Sequence, residues 1–569
     1  MDNTVRYKGF LYLFFALLGL LLLRLVKIQI LDHEQYLKQA EKNYIKPLRV
    51  PPLRGKILDR EGRVLADWKP IFRISVLGEK TTKEGLLELS RLLHVDIDPD
   101  TIIGRPGYIR IKDGASLEEV ISVEEREDRF PWIVVSTIPT RRYLYDGAFF
   151  HLLGYTGEVS PSDLERDPNY RPGDIIGKSG VEKEYEEMLR GKPGYKFYSV
   201  DATGKIIETD PRPPILPVKG KDIVLTVDLG LQLYADSLFS DYRRGVAVAL
   251  DPRNGDVLLF YSKPYADPNV LSMGISREEW KKLLERKDNP LLDRCIAGLY
   301  PPGSIFKLVT GAIALDLKLV RPHDRPVVCR GAYKMGNRLW RCWLPSGHGA
   351  LDFYHAIEQS CDVYFYYLGQ KIGLARFLKY VRNFGLQEKL GIDLPGEKGG
   401  FIPDMAWYEE RYGKGRVPEG LVLNLAIGQG EILLTPLDLA FLTALISRDS
   451  TATPHILKAN SEKLSWHRAP VEGSILEHIR RGMYLAVNGE EGTGVNAQIE
   501  GIKVAGKTGT AQNPHGKEHA LFAAFAPYED PQIAVVVIVE NAGHGGSFAA
   551  PIAGKLIERY LKGKENAEK

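Results

Sequence analysis

The chain has 569 residues, 44% of them hydrophobic and 26% charged, enough for up to about four domains of ordinary size. With 56 Gly, 35 Pro and four Cys, the composition excludes a wholly disordered chain, a collagen-like repeat and a small disulfide scaffold. The 76 basic and 73 acidic residues leave a net charge of +3, which gives no global case for nucleic acid as a partner. The hydrophobic fraction excludes a polytopic membrane protein but leaves room for one span.

The N-terminus supplies that span. Arg6 and Lys8 precede the apolar run Gly9 to Leu23, which continues to Ile30 with only Arg24 and Lys27 interrupting it. Crossing a bilayer takes about 20 apolar residues, so the run suffices if those two side chains snorkel to the interface or meet a membrane partner. A cleaved signal peptide is the rival reading, but no small-x-small site follows; LDHEQYLKQAEKNY (31–44) is charged and helical in pattern. The basic N-terminal flank predicts a cytoplasmic tail over 1–8, a signal-anchor over 9–30 and an exported body beyond it.

From 31 to 220 the sequence predicts a pedestal of short strands and helices broken by Pro and Gly. RGKILDREGRVLA (54–66) alternates on both sides of a charged turn and reads as a hairpin. PRPPILPVKGKD (211–222) reads as a linker. DIVLTVD (222–228) then starts a strand, and GVAVALDPRNGDVLLFYS (245–262) reads as two strands around an Asn-Gly turn. Helical patterns run from about 303 to 446, strands recur near 500–512, 520–526 and 533–540, and a helix over 550–562 closes the chain. Strands at both ends with helices between them predict an α+β domain over 221–565, its antiparallel sheet flanked by helices and completed by the C-terminal segment, with a short tail over 566–569.

Three short motifs carry the chemistry. In LYPPGSIFKLVTGAIALDL (299–317), Ser304 falls in the first turn of a predicted helix, where backbone N–H groups favour developing negative charge. Lys307, three residues on, lies on the same face. A serine hydroxyl needs a base, and a lysine serves only if burial or a cationic neighbour lowers its pKa. Ser-x-x-Lys alone is a weak signal. It is followed, however, by Ser360-Cys361-Asp362 inside the helical stretch AIEQSCDVYFYYLG (356–369), and then by Lys507-Thr508-Gly509-Thr510 at the start or edge of a strand. This order is the signature set of penicillin-recognising serine acyltransferases.

The chain as a whole resembles the class B penicillin-binding proteins, and closely their elongation-type penicillin-binding protein 2 branch. Besides the motifs, the likeness rests on the anchor, RGKILDREGRVLA, PGDIIGKSGVEKEYEEMLRG (172–191), LTVDLGLQ (225–232), IGQGEILLTPLDLA (427–440) and HALFAAFAP (519–527). The resemblance implies an N-terminal transmembrane helix, a pedestal or dimerisation-like domain and a transpeptidase domain. It implies that Ser304 attacks the penultimate D-Ala carbonyl of a pentapeptide stem, with Lys307 as its base and Ser360 as proton bridge. Lys507 would be a further catalytic residue supplying positive charge, Thr508, Gly509 and Thr510 would hold the donor's terminal carboxylate, and the N–H groups of Ser304 and Thr510 the oxyanion. Asp362 would join the substrate-binding residues; it stands where many relatives have Asn, and so removes an amide donor to substrate. The implied partners are pentapeptide stems, β-lactams and a RodA-like glycan polymerase of the SEDS family, with no nucleic acid.

Two further sets of residues stand apart. Cys329, Cys342, His348 and Cys361 are a sufficient tetrahedral donor set for structural zinc, and the resemblance implies metal ligands at matching positions. A Cys329–Cys342 disulfide and a buried Cys361 thiol are the rival readings. Acyl transfer itself needs no cofactor. His519 and His544 fall near the C-terminal strands, but no Ser-His-Asp arrangement follows from their spacing. A β-lactam sensor, a non-catalytic activator of a glycan polymerase, a bifunctional glycosyltransferase and a simple hydrolase or carboxypeptidase are the alternatives. The few residues ahead of the span argue against a sensor. Residues 31–220 do not resemble a glycosyltransferase.

Overall fold

The computed structural model describes residues 3–36, 45–105, 107–200, 206–209, 212–462, 464–513 and 516–567. Contacts divide the chain into two units: Met1–Gly55 with Arg190–Lys221, and Lys56–Leu189 with Asp222–Lys569.

The first unit holds the helix Asn3–Val26, which continues as a wider turn over Lys27–Leu31. Tyr7–Leu31 has none of its window buried and spans about 37 Å at 1.5 Å per residue, so it fits a single-pass membrane anchor. Of the charged stretch 31–44, residues 37–44 lie outside the described residues. The strands Ile45–Val50, Gly194–Val200 and Ile206–Thr209 form an antiparallel sheet in that order. The Pro-rich stretch is not a free linker: Ile215 bridges Tyr195 and Val218 bridges Lys192. A Cβ on Gly194 would lie 2.4 Å from the Ile215 carbonyl oxygen, so glycine permits this approach.

The second unit takes in residues 56–189, most of the stretch expected as pedestal, together with the C-terminal sheet. The predicted hairpin forms, with Ile57–Leu58 antiparallel to the long strand Val64–Leu77. Its turn is organised by the buried Asp59 carboxylate, which accepts from the N–H of Arg63 at 2.8 Å and from the Arg63 guanidinium at 2.6 Å. Asp59 also accepts from the N–H of Leu229 at 3.2 Å, and Asn269 brackets the backbone of Tyr143 at 2.9 and 3.0 Å. Such bonds join 56–189 to the rest of the unit. Val64–Leu77 pairs further with Tyr108–Ala115 and Ile133–Tyr143, and Leu86, Leu89, Val120 and Trp132 fill a small core beneath.

The main sheet has five antiparallel strands in the order Val257–Lys263, Gly245–Leu250, Ile533–Val539, His519–Ala526 and Ala505–Ala511. Its central strands are buried on both faces, which is why they read as unbroken apolar runs. Val535, Val537 and Phe522 face Leu556 and Ile557 of the helix Gly545–Ala567. Val536, Ile538 and Phe525 face the core containing Val309 and Ile313 of helix Lys307–Asp316. The DIVLTVD strand is cut to Ile223–Val224, because Asp228 already caps the helix Leu229–Leu238.

Two departures fall inside the stretch predicted as helical. Residues 328–350 form two small antiparallel pairs, Val328–Cys329 with Gly349–Ala350 and Ala332–Met335 with Arg338–Arg341, the latter turning at Gly336 with φ +58°. The predicted helix over 356–369 is broken. Phe353–Glu358 ends, Ser360 takes φ +53°, and a new helix runs from Asp362 to Ile372. A non-glycine residue in the left-handed region stores strain that its surroundings must hold.

Candidate active site

The chain enters the site through Tyr300, whose N–H and carbonyl both pair with Leu434 at 2.9 Å. Gly303 then turns with φ +55°, donating to the Gly428 carbonyl at 2.9 Å; a Cβ there would lie 2.9 Å from the Thr510 carbonyl oxygen. Only glycine fits both the dihedral and the gap. Ser304 follows on a tight turn, Gly303–Phe306, that winds into the α-helix Lys307–Asp316. Its side chain is half-buried, and its Oγ has no hydrogen-bond partner among the described residues.

Lys307 is fully buried. Its Nζ donates to Asp362 Oδ1 at 2.7 Å, to the Ser360 carbonyl at 2.8 Å and to Ser360 Oγ at 3.2 Å, over the Phe365 ring at 5.6 Å. The break in the helix makes this possible, because the left-handed turn at Ser360 presents both its carbonyl and its hydroxyl to one ammonium. The second Asp362 oxygen accepts from the N–H of Trp343 at 2.8 Å, and Trp343 Nε1 donates to the Ser360 carbonyl at 3.1 Å. Asp362 therefore spends both oxygens on protein donors. The expected substrate contact is thus also the partner of the buried lysine.

Lys507 sits on Ala505–Ala511, an edge strand of the sheet, and is also fully buried. Burial, and next the charge of Lys307, hold its amine well below the usual lysine value. Its Nζ lies 3.3 Å from Thr508 Oγ1, which is 3.0 Å from Thr493 Oγ1. Gly509 lets the strand lie against the nucleophile turn: a Cβ would stand 3.2 Å from Ile305 Cγ1 and 3.3 Å from the Pro302 carbonyl. Thr510 is half-buried, and its carbonyl accepts from Gln429 Nε2 at 2.9 Å. The structure thus gathers Ser304, Lys307, Ser360, Asp362, Lys507, Thr508, Gly509 and Thr510 from three separate elements. His519 stays outside the group, its Nδ1 accepting from the N–H of Asn541 at 3.0 Å and its ring against Tyr300.

Trp343, Thr493 and Gln429 were missed by the sequence reading. Gln429 lies in a stretch quoted only for its likeness, and Trp343 is the neighbour of a candidate ligand. Thr493, in GEEGTGV, carries no local signal.

Directly behind Ser360, the donor atoms of Cys329, Cys342, His348 and Cys361 all lie within 4.8 Å of one another. Both Cys329 Sγ and Cys342 Sγ are 3.5 Å from His348 Nδ1, and all four cysteines of the chain are free thiols. Tetrahedral zinc with Zn–S of ~2.3 Å and Zn–N of ~2.0 Å separates S from N by about 3.5 Å, so the residues present fit that ion. The hydrogen bond shared by Cys342 and Cys361 pulls the Cys342 thiol down and pushes the Cys361 thiol up, so the pair favours one thiolate.

Residues 245–558 match the penicillin binding protein transpeptidase domain, and residues 49–225 the penicillin-binding protein dimerisation domain. The chain belongs to the class B penicillin-binding proteins. Within them it sides with the penicillin-binding protein 2 group. It is 34% identical to the peptidoglycan D,D-transpeptidase MrdA of Haemophilus influenzae, across 96% of this chain and 90% of that protein. Helicobacter pylori penicillin-binding protein 2, solved in complex with MreC, superposes with a TM-score of 0.80 at 32% identity, covering 91% of this chain and 100% of that one. A peptidoglycan synthase complex solved for its coordination of polymerization and crosslinking matches with a TM-score of 0.72 at 29% identity, over 98% and 99% of the two chains. A penicillin-binding protein needs no cofactor for acyl transfer, so a metal at the thiol cluster stands outside the chemistry.

Proposed function

We infer that this chain is a membrane-anchored peptidoglycan D,D-transpeptidase that forms peptide cross-links during cell elongation and shape maintenance. The observation that carries the reading is the convergence of an unpartnered serine hydroxyl, two buried lysines and the Ser360 hydroxyl at one sheet edge. Ser304 Oγ attacks the penultimate D-Ala carbonyl as Lys307, acting as the neutral amine, takes its proton. The tetrahedral oxyanion is met by the N–H groups of Ser304 and Thr510. Its collapse breaks the amide and leaves an acyl ester on Ser304, with Ser360 returning a proton to the departing D-Ala amine. An acceptor amine then attacks the ester and restores Ser304. Splitting one amide exchange into two acyl transfers lowers each barrier. Lys507, Thr508, Gly509 and Thr510 bind the donor's terminal carboxylate. Asp362 holds Lys307 in place. β-Lactams acylate the same serine, and water in place of the amine gives a minor carboxypeptidase activity.

Cys329, Cys342, His348 and Cys361 would hold a structural zinc, which supplies a cross-link between the 329–348 excursion and the turn bearing Ser360. The domain scheme is an anchor over 9–30, a pedestal or dimerisation-like domain over 31–220 and a transpeptidase domain over 221–565, with the body exported. The partner in the membrane is a RodA-like glycan polymerase, supported by the likeness to the peptidoglycan synthase complex. The test is cross-linking of un-cross-linked glycan strands by the full chain, read as dimeric muropeptides by mass spectrometry. Wild type makes dimers and Ser304→Ala makes none; equal yields from the two would refute the reading.

A further inference from the structure

The segment between Asp324 and Asp352 contains Arg325, Arg330, Lys334, Arg338 and Arg341 and not one acidic residue. Lys334, Arg338 and Arg341 lie on the hairpin Ala332–Met335 with Arg338–Arg341 and Arg330 just ahead of it, and all four are exposed. None of the four makes an ion pair among the described residues; Arg338 rests its guanidinium over the Trp340 ring at 5.2 Å. Their summed charge exceeds the net +3 of the whole chain. Like charges crowded on a small hairpin repel one another, and no carboxylate pairs with them among the described residues.

The hairpin is also held firmly beside the site. Cys342 N–H donates to the Gly331 carbonyl at 2.9 Å, closing its base. Tyr366 Oη donates to the Arg341 carbonyl at 3.2 Å, and Tyr333 Oη donates to the side chain of Gln370, so two bonds dock it on the helix Asp362–Ile372. The next residue after its base, Trp343, binds both Asp362 and the Ser360 carbonyl. The base of the hairpin is thus tied through Trp343 to Asp362 and to the turn bearing Ser360, the residues that hold Lys307.

We propose that this hairpin is a recognition surface for the free carboxylates of peptidoglycan stem peptides, and that it raises the enzyme's affinity for acidic glycan strands. The proposal rests on the transpeptidase reading above. Small β-lactams, whose single carboxylate is met at Lys507–Thr510, do not extend to the hairpin. Exposed cations at this spacing act by steering and loose pairing, which salt screens.

The experiment uses the full chain in detergent with un-cross-linked glycan strands bearing either free or amidated stem carboxylates. The variant is Arg330→Gln, Lys334→Gln and Arg338→Gln together, with Arg330→Lys and Arg338→Lys as the charge-conserving control. On free-carboxylate strands at low salt, the triple variant should need about five- to twentyfold more strand for half-maximal rate, three pairs each worth a few-fold. Its maximal rate and its acylation by penicillin should match wild type, amidated strands should show no difference, and the Lys control should behave as wild type. Equal half-saturation of the triple variant and wild type overturns the proposal, as does an equal loss on amidated strands. So does a loss confined to binding of phosphatidylglycerol vesicles, which would make a lipid surface the partner. A wild-type chain that neither takes penicillin nor cross-links would instead sink the transpeptidase reading; normal labelling with charge-blind strand kinetics sinks this inference alone.

Discussion

Replacing Asp362 by Asn tests the pairing at the centre of the site. Asp362 Oδ1 takes the Lys307 ammonium at 2.7 Å and Oδ2 takes the Trp343 N–H at 2.8 Å. An amide has only one oxygen, so in either orientation its NH2 group faces one of these donors. Lys307 is fully buried, and the Asp362 side chain is 11% exposed. Removing one partner of a buried pair costs about 3–5 kcal/mol; Asn keeps one acceptor, which brings the expected loss to about 2–3 kcal/mol. For a large unit that is a thermal midpoint lower by a few degrees. The acylation rate should fall by about tenfold or more, since a misplaced general base forfeits most of its contribution. Asp362→Ala should be worse on both counts. Thermal denaturation of the full chain in detergent and stopped-flow acylation with a fluorescent penicillin supply the two readouts. An Asp362→Asn protein with the wild-type midpoint and the wild-type acylation rate would refute the reasoning.

Other expectations follow from the same geometry. Burial and the charge of Lys307 hold Lys507 well below its ordinary value of 10.5. The unfolded chain therefore binds a proton that the native one lacks, and stability should rise with pH below about 10.5; Lys507→Met should flatten that rise in denaturant titrations taken at several pH values. Gly303→Ala meets both φ +55° and the Thr510 carbonyl oxygen at 2.9 Å. The strain of about 1–2 kcal/mol from the dihedral alone should leave the protein folded by circular dichroism while slowing acylation at least tenfold. The thiol cluster should carry one zinc per chain by elemental analysis, abolished in Cys329→Ala, and chelation should slow acylation without unfolding the main sheet. A Cys329→Ala protein that keeps full zinc would rule out that site.

Much of this site is legible in the sequence because its chemistry is local. Ser304 and Lys307 share one helical turn, Lys507 to Thr510 are consecutive, and the sheet strands bury both faces and so read as apolar runs. What the sequence did not disclose depends on tertiary placement. AIEQSCDVYFYYLG carries a helical pattern, and only the surroundings of Ser360 force it to φ +53°. CRGAYKMGNRLWRC alternates at strand spacing, but so short a hairpin is hidden between two helical patterns. Asp362 looked like a substrate contact because its partner, Lys307, lies 55 residues away in the chain. The separation of 190–221 from 56–189 is equally invisible, since it follows from which segments pair rather than from any change of composition.

The central claim is that Ser304 is the acylated nucleophile of this chain. The measurement is covalent labelling of the full-length protein with a fluorescent penicillin, followed by mass spectrometry of the modified peptide. The account predicts one adduct, on the peptide containing Ser304, absent in Ser304→Ala and slowed in Lys307→Ala. No adduct on folded protein, or an adduct on another residue that persists in Ser304→Ala, would contradict it.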